Sequence, residues 1–425
     1  MANHIWSISV RNVKNINKHL VLDMIRFTPG GISRVEIARR MGLTRAAVSS
    51  IVKDLLATEV IREAERINVR SGRPPIVLEI NPKGGYVVGV DFGATHLSVI
   101  LADLSSRILE ETEIPFNIQQ GPKTGLEQSD RLVREMLAKT GLGLKDVLAF
   151  GVGVPGPIVS EAGMVLAPPI MPGWDRFPIR DTLENWWGSP VSLNNDAELG
   201  VLGEWAAGAG RGERNLAYIK VGTGIGCGLL LDGQIYRGVT GSAGEIGHLT
   251  IDENGPLCNC GNQGCLEALA SGWAITRQAR EAVQKGQRTE LASIRPVEGI
   301  TVREVAAAAR KGDLLSQQIL GQAGIHIGIA LAGLVNLFNP GMVIIGGGMA
   351  QAGDILLEPI RQTVQRRSLP AATRVVRITT AMLGRRSSSL GAVIQALTIT
   401  LHQVADRKEV KPSGRLEKGP QDNMI

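Results

Sequence analysis

Three of the four cysteines fall within eight residues, at Cys258, Cys260 and Cys265, and His248 precedes them in the pattern H-x9-C-x-C-x4-C. Three thiolates and one imidazole make a complete tetrahedral donor set for Zn²⁺. With all four positions filled by protein, the ion is expected to be structural and not an activator of water. Gly261 and Gly264 would let the loop turn tightly around it. Four cysteines in 425 residues, three of them clustered, do not form a secreted disulfide framework.

Glycine-rich turns supply a second kind of chemistry. Tyr86–Asp91 reads as a buried strand, followed by Phe92-Gly93-Ala94-Thr95 and then a second strand, His96–Leu104. The same order recurs at Leu216–Val221, Gly222-Thr223-Gly224 and Gly226–Leu231. Turns of this form can cradle phosphate through backbone N–H groups. A strand at Met342–Ile345 ends in Gly346, Gly347 and Gly348. The run Gly222–Gly228 resembles a dinucleotide fingerprint, but a strand follows it where a helix is required, so that reading is rejected.

Charge is unevenly spread. Residues 1–80 carry 13 lysines and arginines against 7 acidic residues, and the remaining 345 residues carry 33 of each. All of the net +6 therefore sits in the first fifth of the chain, as a phosphate-backbone binder needs. That module reads as helices over Lys18–Phe27, Ser33–Met41 and Thr44–Ala57, with Gly42 breaking the last two apart. Ser33-Arg34-Val35-Glu36 has the form of a capping box, and Thr44 can cap the third helix. Val48, Ile51, Val52, Leu55 and Leu56 share one face of that helix, and Arg45, Ala46, Ser49, Ser50 and Lys53 lie on the other. This is a helix-turn-helix plan with the last helix in the major groove of double-stranded DNA. Val60–Glu63 and Ile76–Ile80 would form a wing whose tip carries Arg70 and Arg73 around Gly72, suited to a narrow minor groove.

Length allows two or three domains, and 44% apolar with 20% charged residues is the balance of a soluble globular chain. The opening stretch has no signal-peptide pattern. The apolar region Ile325–Met349 is broken by His326, Asn336, Asn339 and Pro340, so it reads as a buried helix and strand, not a membrane span. The expected location is the cytoplasm. The expected division is a winged helix-turn-helix over 1–82, an α/β domain over 83–405 containing the 248–265 metal loop, and a disordered polar tail over 406–425.

These residues resemble the ROK family of repressors, open reading frames and sugar kinases, over roughly residues 10–400. The repressor branch, of the xylose and N-acetylglucosamine repressor type, carries a winged helix-turn-helix. Cys258–Ser271 (CNCGNQGCLEALAS) looks like the family's zinc loop and Ala243–His248 (AGEIGH) like its sugar-binding segment. The resemblance implies a duplicated ribonuclease-H-like, actin-type sugar-kinase fold with a sugar in the cleft between its lobes. It implies sugar contacts from Asn195, Asp196, Glu245, His248 and Glu267, with Asp196 as the base in a kinase. His248 would use one ring nitrogen for zinc and the other for the sugar. Asp91, Gly93, Thr95, Gly222, Thr223 and Gly224 would lie near the phosphates of Mg²⁺-ATP, and Gly346–Gly348 near the adenosine. Two departures stand out: Ala94 where a second glycine is usual, and His96 where lysine or asparagine is common.

Two activities stay open at this level. One is a sugar-responsive DNA-binding regulator of carbohydrate-utilisation genes, acting as a homodimer or dimer of dimers on an operator. The other is an ATP-dependent, glucokinase-like sugar kinase with an accessory DNA module.

Overall fold

The computed structural model describes residues 10–65, 76–159, 162–168 and 170–406, with side chains from residue 15 onward. The described residues fall into two compact units, those within 1–85 and 398–425, and those within 86–397.

In the first unit, α1 (Val10–Arg26), α2 (Arg34–Met41) and α3 (Arg45–Leu56) precede a hairpin of β1 (Ile61–Glu65) and β2 (Ile76–Ile80). α1 is longer than the Lys18–Phe27 expected. The hairpin is antiparallel from Ile61↔Ile80 to Glu65↔Ile76, and Ile32 bridges Leu78 as a short third strand. Val21, Leu22, Ile25, Ile37, Val48, Ile51, Val52 and Leu55 are buried, the helix-period residues that burial of one face requires, and Leu78 of β2 is buried as well.

In the second unit, β3 (Tyr86–Phe92), β4 (His96–Asp103) and β5 (Ile108–Pro115) lead through α4 (Pro122–Lys139) to β6 (Val147–Val154). A small ribbon of β7 (Ile158–Val159) and β8 (Met164–Val165) and the helix α5 (Ile179–Trp187) precede β9 (Val191–Asn195) and α6 (Asp196–Ala207). Then come β10 (Leu216–Val221), β11 (Ile225–Leu231) and β12 (Gln234–Ile235). The helices α7 (Leu266–Ala270), α8 (Gly272–Gln284), α9 (Val302–Arg310) and α10 (Leu314–Phe338) lead to β13 (Met342–Gly346). The chain closes with α11 (Asp354–Arg367), α12 (Pro370–Thr373), β14 (Arg377–Thr380) and α13 (Ser387–Asp406).

Two five-stranded sheets result, ordered β5-β4-β3-β6-β9 and β12-β11-β10-β13-β14. In each, two antiparallel pairings are followed by two parallel ones. The shared order is the duplication expected of the actin-type fold, and both glycine turns, Gly93–Thr95 and Gly222–Gly224, join equivalent hairpins. One core gathers Val88, Val90, Val152, Leu126 and Trp174, and the other Ile219, Val343, Ile345, Leu331 and Ile360. α10 is long and apolar enough to cross a membrane by length and composition, but Ile319, Leu320, Ile327, Leu331 and Val335 are buried in the second core.

One boundary differs from expectation. Residues 83–405 were expected to form one domain, but Thr398 onward groups with the N-terminal unit. The end of α13 makes specific contacts there. Arg26 Nη1 donates to Thr398 Oγ1 at 3.0 Å, His402 stacks on His19 with ring centroids 4.5 Å apart, and His19 Nε2 lies 3.1 Å from Asp406 Oδ1. The tail beyond residue 406 lies outside the described residues.

Candidate functional site

The helix-turn-helix is set by its caps. Ser33 Oγ accepts from Glu36 N at 3.2 Å and Thr44 Oγ1 from Ala47 N at 3.2 Å. Between them Gly42 takes a left-handed conformation, φ +64°, and its N–H closes α2 on the Ala38 carbonyl. The expected capping box at Ser33 is half formed. Glu36 does not reach back to the cap, because Arg39 Nη2 and Arg40 Nε hold its carboxylate at 2.8 and 2.6 Å. Hydrogen bonds from Arg39 and then Arg40 lower its pKa to about 2. On α3, Thr44, Arg45, Ala46, Ser49, Ser50 and Lys53 are all exposed, opposite buried Val48, Ile51, Val52 and Leu55. Arg45 and Lys53 form no ion pair among the described residues. The wing tip with Arg70 and Arg73 lies outside the described residues.

In the second unit, His248, Cys258, Cys260 and Cys265 bring one donor atom each within 4.8 Å of one another. Cys260 Sγ and Cys265 Sγ are 3.7 Å apart, as are Cys258 Sγ and His248 Nδ1. Tetrahedral thiolates at a zinc–sulfur distance of about 2.3 Å would be separated by about 3.8 Å. The spacing therefore fits one tetrahedral ion. Gly264 makes the tight loop possible: its φ is +69°, and a Cβ there would lie 1.6 Å from the Asp252 carbonyl oxygen. The other imidazole nitrogen, Nε2, faces Glu245 Oε2 at 3.9 Å. The group can thus hold a metal with one face of His248 while the other looks elsewhere.

It looks into a cavity of about 820 Å³ lined by Asn195, Asp196, Glu245, His248 and Glu267. Gly93, Thr95, Gly222, Thr223, Gly224, Gly347 and Gly348 line it as well, whereas Asp91 and Gly346 do not. Asp91 is fully buried at the end of β3, and Gly346 closes β13 within its sheet. Asn195 is the N-cap of α6, and its Oδ1 accepts from Ala197 N at 2.8 Å and Glu198 N at 3.3 Å. Its Nδ2 donates to the Gly156 carbonyl at 3.0 Å, leaving one amide hydrogen for a ligand. Because Asn195 takes the capping role, Asp196 is spared it and turns its carboxylate to the cavity wall. The Ala243–His248 segment is laid against β11 by the bond from Cys227 N to Gly244 O at 3.0 Å. A Cβ on Gly244 would lie 2.0 Å from the Cys227 carbonyl oxygen, so only glycine permits this approach. Glu267 Oε2 accepts from Ile225 N at 2.9 Å, tying α7 to the second hairpin. Burial raises the pKa of Glu245; the nearby Glu267 and Asp196 carboxylates push the same way, and His248 opposes.

Lys220 and Ser388 also line this cavity and were not foreseen. Lys220 Nζ donates to Asp196 Oδ2 at 2.8 Å and to Ser388 Oγ at 3.3 Å. The signal was present in sequence as a lone lysine in the otherwise apolar strand Leu216–Val221. Its partners lie 24 and 168 residues away and are visible only in the fold.

Comparison with known proteins agrees with this layout. The ROK family profile matches residues 87–399 and the MarR family profile residues 15–67. The chain is 32% identical to the xylose repressor of Caldicellulosiruptor bescii, over 91% of this chain and 96% of that one. Its structure resembles a ROK family transcriptional regulator, a homologue of the E. coli Mlc protein. There the TM-score is 0.80 with 29% identity, over 93% of this chain and 100% of the other. It also resembles a ROK family glucokinase from Streptomyces griseus in complex with glucose and AMPPNP, at TM-score 0.64 and 31% identity, over 73% of this chain and 99% of that one. The chain therefore belongs to the ROK family, with a MarR-type helix-turn-helix ahead of its ROK domain.

Proposed function

We propose that this protein is a sugar-responsive, DNA-binding transcription regulator, a repressor of carbohydrate-utilisation genes that works in the cytoplasm. The observation that carries the reading is the presence on one chain of an exposed, basic recognition helix and a cavity edged by five sugar-competent polar side chains. The family relationship to a xylose repressor points the same way.

On the DNA side, α3 enters the major groove. Arg45 reaches a guanine edge or a phosphate, and Ala46 lets the backbone come close. Ser49, Ser50 and Lys53 contact the backbone along the exposed face, Ser33 at the start of α2 does the same, and Arg70 and Arg73 serve the wing. The chain acts as a homodimer, because helix-turn-helix proteins read paired half-sites.

On the sugar side, Asp196, Glu245 and Glu267 accept hydrogen bonds from sugar hydroxyls, while Asn195 Nδ2 and His248 Nε2 complete the set. The metal is Zn²⁺ in a structural role, held by His248 Nδ1 and the three thiolates. It fixes the imidazole that faces the sugar, so loop geometry and sugar affinity are linked. Sugar binding shifts the protein between two arrangements that differ in operator affinity.

The test is a fluorescence titration of purified protein on DNA from upstream of its own gene, across a salt series and a sugar panel of xylose, glucose and N-acetylglucosamine. The proposal expects sequence-preferring, salt-dependent binding that one sugar changes severalfold. Binding with no preference over random DNA would refute it.

A further inference from the structure

The family implies Mg²⁺-ATP beside the sugar, and the residues around Asp91 and Asp196 can be tested against that expectation. Lys220, at the end of β10, donates to Asp196 Oδ2 at 2.8 Å, and Ser388 Oγ, which accepts from the same ammonium at 3.3 Å, donates in turn to the Asp196 carbonyl at 2.8 Å. The carboxylate expected to take a proton from the sugar is thus already ion-paired. Asp91 is fully buried, and neither of its oxygens has a hydrogen-bond donor among the described residues. His96 Nε2 is 3.4 Å away, and the Lys220 ammonium is the main charge that opposes the burial of this carboxylate. Lys220 in turn is held protonated, since Asp196 and then Asp91 outweigh its own burial. One ammonium therefore pairs with Asp196 and, from beyond ion-pair distance, also favours the charged form of Asp91.

One amide in each phosphate turn is also taken up by the protein itself. Gly93 N donates to the His96 carbonyl at 2.9 Å, and Gly222 N to the Gly224 carbonyl at 2.9 Å, so neither amide is available to a phosphate. The His96 ring fills the space beside Gly93, where a Cβ would meet it at 2.1 Å. A divalent cation brought to Asp91 would face a fixed ammonium of like charge, inside a protein where charges are weakly screened. The residues present do not fit Mg²⁺-ATP.

We propose that Lys220 is a resident counter-ion, paired with Asp196 in the cleft where a divalent cation would otherwise be drawn, and that the cleft therefore receives a sugar without phosphorylating it. Lys220 is a positioning residue: it fixes the Asp196 carboxylate as a hydrogen-bond acceptor for a sugar hydroxyl and leaves no vacancy for the metal.

The experiment is calorimetry of AMPPNP binding to the full chain with and without Mg²⁺ and with no sugar present, followed by ADP release with glucose and xylose. The inference rests on the proposed sugar cleft only in naming what the site receives, so the nucleotide result stands or falls without it. In the wild-type chain, Mg²⁺ should change AMPPNP affinity by less than about twofold, weak or undetectable binding included, and sugar should release no ADP above background. In Lys220→Gln, with the ammonium removed from the cleft, Mg²⁺ should tighten AMPPNP by about tenfold, and Asp91→Asn in that background should abolish the gain. Wild-type binding tightened tenfold by Mg²⁺, or sugar-dependent ADP release lost in Asp196→Asn, would overturn the proposal. So would a folded Lys220→Gln chain, verified by circular dichroism, that responds to Mg²⁺ no more than wild type.

Discussion

The recognition helix and the sugar cleft handle polar groups in opposite ways. On α3, Arg45, Ser49, Ser50 and Lys53 stand exposed on a face whose other side is buried, and a partner must come to them. In the cleft, Asn195, Asp196, Glu245 and Glu267 are partly withdrawn from water, and Asn195, Asp196 and Glu267 are held by a cap, an ion pair and a neighbouring strand respectively. The first arrangement suits a polyanion that supplies its own geometry and is recognised by summed contacts. The second suits a small neutral ligand, for which the protein must supply the geometry in advance. Damage to the first should be graded, and damage to the second should spread from one support to several contacts.

The largest expected effect comes from removing the support. Cys258→Ser leaves the donor set one thiolate short, and loss of a structural metal belongs with the costs above about 4 kcal/mol. Thermal unfolding with metal analysis should show less than one equivalent of zinc and a lower midpoint. Sugar binding should be lost, while salt-dependent DNA binding of the folded fraction persists.

Next comes Asp196→Asn, which removes a charged acceptor and leaves the half-buried Lys220 ammonium without its nearest partner. A hydrogen bond to a charged group contributes about 1.5–3 kcal/mol, roughly a 10- to 150-fold loss of sugar affinity by calorimetry. Sugar-free operator affinity should not move. If both affinities fell together, the division of labour between the two regions would be wrong.

On the DNA side, Thr44→Ala removes the cap of α3 at a cost of about 1 kcal/mol. The operator dissociation constant should rise about fivefold, with sugar affinity unchanged.

The smallest effect concerns pH. Burial, then the neighbouring His19, lowers the pKa of His402, while Asp23 and Asp406 pull the other way and Arg26 adds to the lowering. A histidine lowered in the folded chain binds fewer protons there than when unfolded. Stability therefore rises with pH across the interval below its ordinary value of about 6.5, and falls on acidification through it. Denaturant midpoints should drop between pH 7.5 and 5.5, and His402→Gln should flatten that slope. Asp23 is raised above its ordinary value near 3.8, chiefly by burial, so its contribution has the opposite sign and weakens the folded state as pH rises above that value.

What could be read from sequence follows the distance over which each feature is determined. Ser33, Thr44 and Gly42 act within one turn of helix, and their roles were legible as capping and breaking signals. The metal set was legible because its donors fall within eighteen residues and thiolate chemistry is distinctive. The reach of Glu36 was not, since Arg39 and Arg40 compete for it on the exposed helix face. Nor was the choice of Asn195 over Asp196 as the cap of α6, because adjacent residues of equal capping ability are separated only by where the strand ends. Lys220 with Asp196 and Ser388, and the return of α13 to the N-terminal unit, depend on pairings across many residues, which no local pattern encodes.

The most direct test of the account is operator binding measured with and without the sugar that the calorimetric panel selects, in wild type and in Glu245→Ala. Saturating sugar should change wild-type operator affinity at least fivefold, and Glu245→Ala should bind the operator normally but no longer respond. Operator affinity that no bound sugar alters, in a wild-type chain shown by calorimetry to hold that sugar, would contradict it.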